Sequence, residues 1–438
     1  MKVLIGAWAC NPNEGSESAV GWSWLNSIKR FHEVWVITSA NQKESIEQAV
    51  SQHPGEFSNV QFRYVEPQRW RYDRNSKFWR WQASLPILVP VFHVYYDLWQ
   101  RAAYRAAQEL QEHIQFDLVH QLTFVGFRFP GYLWKLKLPF VWGPIGGLDN
   151  MPWRLMPALG LGGAAHYAGR NLVNSLHRRF LRRPRKAFAA AGPGIIAATG
   201  GIQRQIRRSY NARAQVICEV GLPGRVNDTY FLRNEGEAIR LVWSGLHLSR
   251  KALPLLLQAL YRLRGNVNWR LDIYGDGPRR QRWYQLATRL GLQDRCTWHG
   301  QVSREAALVG LQKAHLFVIT SLQDLTSTVL IEALANGVPV VCPDHCGFSD
   351  VMTPECGLKL PIQSLEEFKR GLASTISNIY ADEKHRRYLA AGALQRARSF
   401  SWETKGEAIN QVYDRVISGV FREAVRTEKN ASQLSVVS

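Results

Sequence analysis
The sequence predicts an α/β protein made of two doubly wound parallel-sheet domains facing a central cleft. Three observations lead there: a length of 438 residues, the same rhythm of short apolar runs and helix-length segments in both halves, and a cluster of Gly, Pro, Asn and Asp between them. The usual domain size gives two or three domains for such a length. Continuous apolar strands separated by helices belong to parallel sheets covered on both faces, because half-exposed strands alternate instead.

In the first half the candidate strands are Val3–Ala7, Val34–Thr38, Phe62–Val65, Asp117–His120, Phe140–Gly143 and Ile195–Thr199. The second half repeats the pattern with Leu241–Ser244, Leu271–Tyr274, Cys296–His299, His315–Ile319 and Val338–Cys342. Turn formers concentrate in Gly221–Gly236, which places the junction there. The chain therefore divides into an N-terminal domain (1–222), a C-terminal domain (223–400), a helix (401–426) returning towards the first domain, and a polar, frayed tail (427–438).

Composition narrows the partners. At 46% hydrophobic and 21% charged, the chain has ample core-forming residues and is not a disordered protein. Its 55 Lys and Arg against 35 Asp and Glu give a net charge of +20, which favours an anionic partner: nucleic acid, an anionic membrane or a phosphate-bearing substrate. The six Cys form no C-x-x-C pair, which suits a reducing compartment. Cys342, His345 and Cys346 lie close together but read as a strand end running into a turn. The opening run MKVLIGAWA is too short for a signal peptide, and no run of 18 apolar residues occurs, so a cytoplasmic chain without a membrane span is expected.

Two segments interrupt the rhythm. From Gln68 to Arg105, Trp70, Trp79, Trp81 and Trp99 alternate with Arg69, Arg71, Arg74 and Arg80, and Pro86 and Pro90 prevent one continuous helix. Between Asp149 and Glu219 there is no acidic residue, but there are Arg170, Arg178, Arg179, Arg182, Arg183 and Arg185 among others. A charge run is ordinarily solvated surface. The 69 residues without a carboxylate, beside an Arg–Trp segment, instead suit the headgroup level of an anionic bilayer, so 68–105 and 150–213 are read as a membrane-facing surface.

The chemistry concentrates in the second half. In Ser321–Val341 a strand ends in a polar loop, and a helix follows from about Thr326, with Thr326 and Ser327 as N-cap candidates and Asn336-Gly337 as its stop. Thr328 and Glu332 share a face at four-residue spacing, and a hydroxyl-lined helix start at a strand's C-terminal end suits an anion. On spacing alone, Glu332 is an ordinary helix residue. In Leu241–Leu260, Arg250 and Lys251 precede a helix whose first turn tolerates Pro254, where cations and a helix start would meet a diphosphate. Tyr274-Gly275-Asp276-Gly277-Pro278 is a turn bringing backbone close to the cleft.

Taken in order, these windows resemble the retaining, nucleotide-sugar-dependent glycosyltransferases of family 4, exopolysaccharide type. The matching positions are Gly245…Lys251, Tyr274–Pro278, His299-Gly300-Gln301-Val302, and Asp324 through Glu332 to Val341, continuing into Cys346–Asp350 and Cys356–Lys359. In the first half Gly15-Ser16-Glu17, Asp117–His120 and Gly143–Gly147 are similar more loosely. The resemblance implies the GT-B fold of two Rossmann-like domains and a retaining hexosyl transfer without a metal or other cofactor. It implies that Arg250 and Lys251, with backbone N–H groups of Thr326, Ser327 and Thr328, neutralise the donor diphosphate, that Glu332 holds the ribose, and that Asp324 contacts the sugar. Gly275, Gln301 and Val302 would meet the nucleotide, and Gly15 and Ser16 would approach from the first domain. His120 matches one His of the family's D-x-x-H region, either facing the cleft as a catalytic residue or packed as a core histidine.

Three positions depart from the pattern: Asp324 replaces the first Glu of the E-x7-E signature, Leu246 stands where many members have Arg, and Leu122 where a cleft-facing His often sits. The implied partners are a nucleotide-sugar donor, a lipid-linked or glycan acceptor and the inner face of the cytoplasmic membrane, with no nucleic acid. The rival readings are a non-catalytic glycan- or nucleotide-binding protein of the same fold, a basic nucleic-acid-binding protein, and an inverting enzyme with a base on the first domain.

Overall fold
The computed structural model describes residues 1–15, 17–67, 89–124, 126–222 and 224–434. The first sheet contains β1 (Lys2–Ala7), β2 (Glu33–Ser39), β3 (Val60–Val65), β4 (Leu118–Thr123), β5 (Phe140–Ile145), β6 (Ile195–Ala197) and β7 (Gln215–Val216), in the order β3-β2-β1-β4-β5-β6-β7. The second contains β8 (Ile239–Ser244), β9 (Trp269–Tyr274), β10 (Cys296–Gly300), β11 (Leu316–Val318), β12 (Val340–Pro343) and β13 (Gly357–Leu360), in the order β10-β9-β8-β11-β12-β13. Neighbours pair in parallel throughout, for example Leu4 beside Trp35 and Leu241 beside Leu271. Every residue of β4 and β5 is buried, whereas β3, at the sheet edge, alternates. Helices therefore cover both faces of the central strands, as continuous apolar runs require.

Each strand read from the sequence is present. Two were not read: β7 is two residues long, and Lys359 interrupts the apolar run of β13. Strand β6 stops before Thr199, whose side chain instead accepts the Ile202 N–H and caps the next helix. In each sheet the chain reverses direction of progress beside the first strand, between β1 and β4 and between β8 and β11. Ligands of doubly wound sheets bind in the crevice at such switch points, beyond the strands' C-terminal ends.

The last helix, Trp402–Leu434, returns to the first domain and packs on the helix Glu17–Ile28. The indoles of Trp402 and Trp24 meet edge to face at 5.7 Å. It runs through Thr427–Leu434, where a frayed tail was expected, because Glu428, Lys429, Ala431 and Gln433 are good helix formers. Residues 435–438 lie outside the described residues. The two chain crossings between the domains touch: the Leu222 N–H donates to Phe400 O at 2.7 Å, and a Cβ on Gly221 would lie 2.6 Å from the Trp402 ring.

Most of the expected aromatic membrane segment, 68–88, lies outside the described residues. Its C-terminal part is a helix, Val89–Ile114, and there Trp99 turns inward: the indole is buried and donates to Val65 O at 3.0 Å. Trp99 is thus a core residue of the first domain and not a headgroup contact. No helix among the described residues is long and apolar enough to cross a membrane.

Candidate active site
Two glycine turns meet at the mouth of the second sheet. Gly275 has φ +105, and a Cβ there would lie 2.2 Å from Gly245 O, so the close approach of the two turns requires glycine at 275. Beyond Gly245 a short turn, Ser249–Lys251, precedes the helix Leu253–Arg262, which carries Pro254 in its first turn. That turn aims its two cations at the loop after β11. Arg250 donates to Gln323 O at 2.9 Å and stands 3.4 Å from Asp324, while Lys251 Nζ lies 2.5 Å from the other Asp324 oxygen. Thr320 Oγ1 donates to Lys251 O at 2.6 Å, and the Asp324 N–H reaches Cys346 Sγ at 3.3 Å. Cys346 itself has φ +57 in the turn following β12. Two cations face one carboxylate, so the largely buried cluster carries a net positive charge that a diphosphate would satisfy better than Asp324 alone.

The helix Thr328–Ala335 starts two residues later than expected. Ser327 occupies the N-cap without a side-chain cap bond, and Gly337 at φ +67 follows the last turn. Thr328 and Glu332 line a cavity of about 650 Å³, the size of a small-molecule site. Pro12–Gly15 close it from the first domain, and Ser244 and Tyr274 close it from the ends of β8 and β9. Glu332 is largely buried, and one of its oxygens accepts two N–H groups of Arg304 at 2.9 and 2.8 Å. Arg250, Lys251 and Asp324 are not in the cavity wall. The Lys251 side chain lies against Gly245, next in the chain to the lining Ser244, and Asp324 stands four residues before the lining Thr328.

The other expected residues fall in different places. Gly15 lines the cavity, and Ser16 lies outside the described residues. Gln301 is exposed, and Val302 lines a separate hollow of about 340 Å³ with Tyr274 and His299, so neither reaches the main cavity. The Thr326 N–H, expected to meet phosphate, already donates to Glu219 at 2.8 Å.

His120 does not face the cleft. It is fully buried, with Nε2 at 2.8 Å from Gly143 O and Nδ1 at 2.7 Å from Tyr413 Oη. A carbonyl can only accept, so Nε2 carries the proton and Nδ1 accepts from the tyrosine. Burial lowers its pKa to about 4, keeping the ring neutral. Replacing His120 by Ala is expected to cost about 1–3 kcal/mol of stability by orphaning both partners, with nucleotide-sugar affinity unchanged. Paired denaturant unfolding and titration calorimetry check this; lost affinity at unchanged stability would return the residue to the site.

Three contacts had no signal in the sequence. Arg304 holds Glu332 from 28 positions away, and Glu219 reaches Thr326 across 107. Glu219 is buried, and burial raises its carboxyl pKa to about 7 despite the Thr326 N–H. Arg170, from the acid-free stretch, turns inward and bonds the side chain of Gln323, whose amide donates to Asp149 O at 3.1 Å. That stretch is therefore not uniform surface. Arg178 donates to Leu148 O at 2.6 Å, and Arg183 pairs with Asp97.

Residues 232–396 match the family model described as glycosyl transferases group 1. The lipopolysaccharide core biosynthesis glycosyltransferase LpsD of Rhizobium meliloti is 28% identical over 188 residues, covering 43% of this chain and 52% of that protein. LpsE of the same organism is 30% identical over 200 residues, covering 45% and 56%. The chain thus spans about half the length of the curated relatives it matches. Among solved structures, sucrose-phosphate synthase from Thermosynechococcus elongatus aligns with a TM-score of 0.60 at 16% identity, over 95% of this chain and 99% of that one. HepE of Anabaena, in complex with UDP, aligns at 0.58 and 16%, over 95% and 100%. Both likenesses show the fold: two facing α/β domains of the GT-B type.

Proposed function
From a C-terminal domain of the glycosyl transferases group 1 family, we propose that this chain moves a hexosyl group from a nucleotide diphosphate sugar to an acceptor hydroxyl, with retention at the anomeric carbon. The observation that carries the reading is the Arg250–Lys251–Asp324 cluster, which adjoins a nucleotide-sized cavity containing Glu332 at the switch point of the second sheet. Arg250 and Lys251 stabilise the negative charge that grows on the diphosphate as the anomeric C–O bond breaks. Asp324 exchanges its cations for the sugar, and Glu332, held by Arg304, accepts hydrogen bonds from the ribose. The acceptor oxygen bonds to the anomeric carbon from the face that the diphosphate leaves, and its proton passes to the departing phosphate oxygen. In this reading the protein supplies the cationic charge itself, and no metal is required. Closing the two domains would exclude water from the cleft.

The names of LpsD and LpsE favour lipopolysaccharide-type glycolipid assembly, and the acid-free basic stretch 150–213 favours a lipid-linked acceptor at the inner face of the cytoplasmic membrane. HepE has also been solved with UDP-glucose, which makes uridine diphosphate sugars the first donors to test. Titration calorimetry against a panel of nucleotide sugars is expected to find one that binds in the micromolar to millimolar range typical of enzyme substrates. NMR of the product is expected to show the donor's anomeric configuration kept. No binding by any donor would leave a non-catalytic protein of this fold, and inversion would require a base on the first domain.

A further inference from the structure
The helix Gly160–Phe180 packs Ala164, Tyr167 and Ala168 on the core, yet leaves a second, larger apolar face uncovered. A surface helix ordinarily buries its apolar stripe and shows polar residues to water. Here the buried positions include Asn171 and Asn174. Asn171 exchanges hydrogen bonds with the Met151 backbone at 2.9 and 2.7 Å, and Asn174 donates to Leu148 O at 3.0 Å. The outward face carries Leu161, Leu172, Val173, Leu176 and Phe180, which are 93%, 62%, 45%, 45% and 66% exposed. At the helical repeat these five fall within an arc of about 120°, and exposed Ala165 and Gly169 fill the gap between Leu161 and Leu172. Trp153, just before the helix, is 65% exposed.

The surroundings select the partner. Arg179 on the helix, and Arg182, Arg185 and Lys186 directly after it, are exposed, and no carboxylate occurs between Asp149 and Glu219. An apolar stripe bordered by cations, in a stretch of chain without acids, complements a surface with anionic headgroups above a hydrocarbon interior. We propose that the helix Gly160–Phe180 lies flat in the face of an anionic bilayer, with Leu161, Leu172, Val173, Leu176 and Phe180 inserted and Arg179 and Arg182 among the phosphates. This rests on the membrane-facing acceptor reading above and names the element that makes the contact. The inward face of the same helix holds Arg170 on Gln323, beside Asp324, so docking would set the sugar end of the site close to the bilayer surface.

Flotation with phosphatidylcholine vesicles containing phosphatidylglycerol, and with phosphatidylcholine alone, tests the proposal on the full chain. Wild-type protein is expected to bind the anionic vesicles at least tenfold more tightly. A triple variant, Leu172→Gln, Leu176→Gln and Phe180→Gln, changes only exposed side chains and is expected to lose at least tenfold of that binding with its circular dichroism unchanged. The pair Arg179→Gln and Arg182→Gln, which avoids the structurally engaged Arg178 and Arg183, is expected to flatten the salt dependence. Wild-type protein that ignores anionic vesicles, or a triple variant that binds them as wild type does, overturns the proposal. So does a wild-type dimer that the triple variant dissociates without change in vesicle binding, since a second copy then covers the face. Donor titration on the same preparations separates the two readings: vesicle binding without donor binding keeps the docking helix and rejects the enzyme, and the converse keeps the enzyme alone.

Discussion
Replacing Lys251 by Ala is expected to lower the rate of sugar transfer by about 10²–10³-fold, the effect of removing one pre-positioned donor from a developing oxyanion. Lys251 is the better placed of the two cations. Its ammonium lies 2.5 Å from Asp324, and its backbone carbonyl is fixed by Thr320, whereas Arg250 also serves the carbonyl of Gln323. The loss should fall mainly on kcat, because the charge it answers grows as the C–O bond breaks. Stability should change by about 1 kcal/mol or less, since Asp324 keeps Arg250 as a partner at 3.4 Å. Steady-state kinetics with the identified donor and a thermal melt decide the matter. A rise in KM at constant kcat would make Lys251 a ground-state contact only.

Glu219→Gln is expected to stabilise the protein by about 3 kcal/mol at pH 8 and by less than about 1 kcal/mol at pH 5. Burial raises the carboxyl from its ordinary 4.5 to about 7 in the folded chain, although the Thr326 N–H and the nearby Lys405 both favour the anion. Lys405 cannot fully compensate, because its ammonium is committed to Cys218 O at 2.6 Å. A raised folded pKa means that the folded state holds the proton longer than the unfolded chain. Stability is then complete below about pH 4.5, falls as pH rises towards 7, and levels off above it. Glutamine keeps the oxygen that accepts from Thr326 and removes the ionisation. Urea unfolding of both proteins from pH 5 to pH 8 gives the comparison, and parallel profiles would exclude Glu219 as the titrating group.

The strands were legible because burial on both faces leaves an unbroken apolar run in the sequence. Arg250 and Lys251 stood out because they lie between a strand end and a helix start that the sequence marks, whereas Asp324 and Glu332 were singled out by the resemblance, Glu332 being an ordinary helix residue on spacing alone. The partners were not. Arg304 on Glu332 and Glu219 on Thr326 join distant positions, and nothing local to either residue announces the other. His120 shows a different limit. Period-two alternation fixes which residues share its face, but the face is decided by Tyr413, 293 positions away on the last helix. Trp99 and the helix Gly160–Phe180 show two further limits. An aromatic expected at a surface is core, and in the helix the charge run said nothing of the leucines that point out or the asparagines that are buried.

The chain passes between the domains twice, once near Gly221–Leu222 and again near Phe400–Trp402, and the two passages are hydrogen-bonded and in contact. A single connecting strand would act as a swivel and leave the domains free to twist and slide. Two adjacent strands act as a door hinge, with bending about the line through them as the soft motion and twisting opposed. Pro12–Gly15 would then swing towards Thr328 and Glu332 along one arc, so that opening changes the width of the cleft and preserves which residues face one another across it.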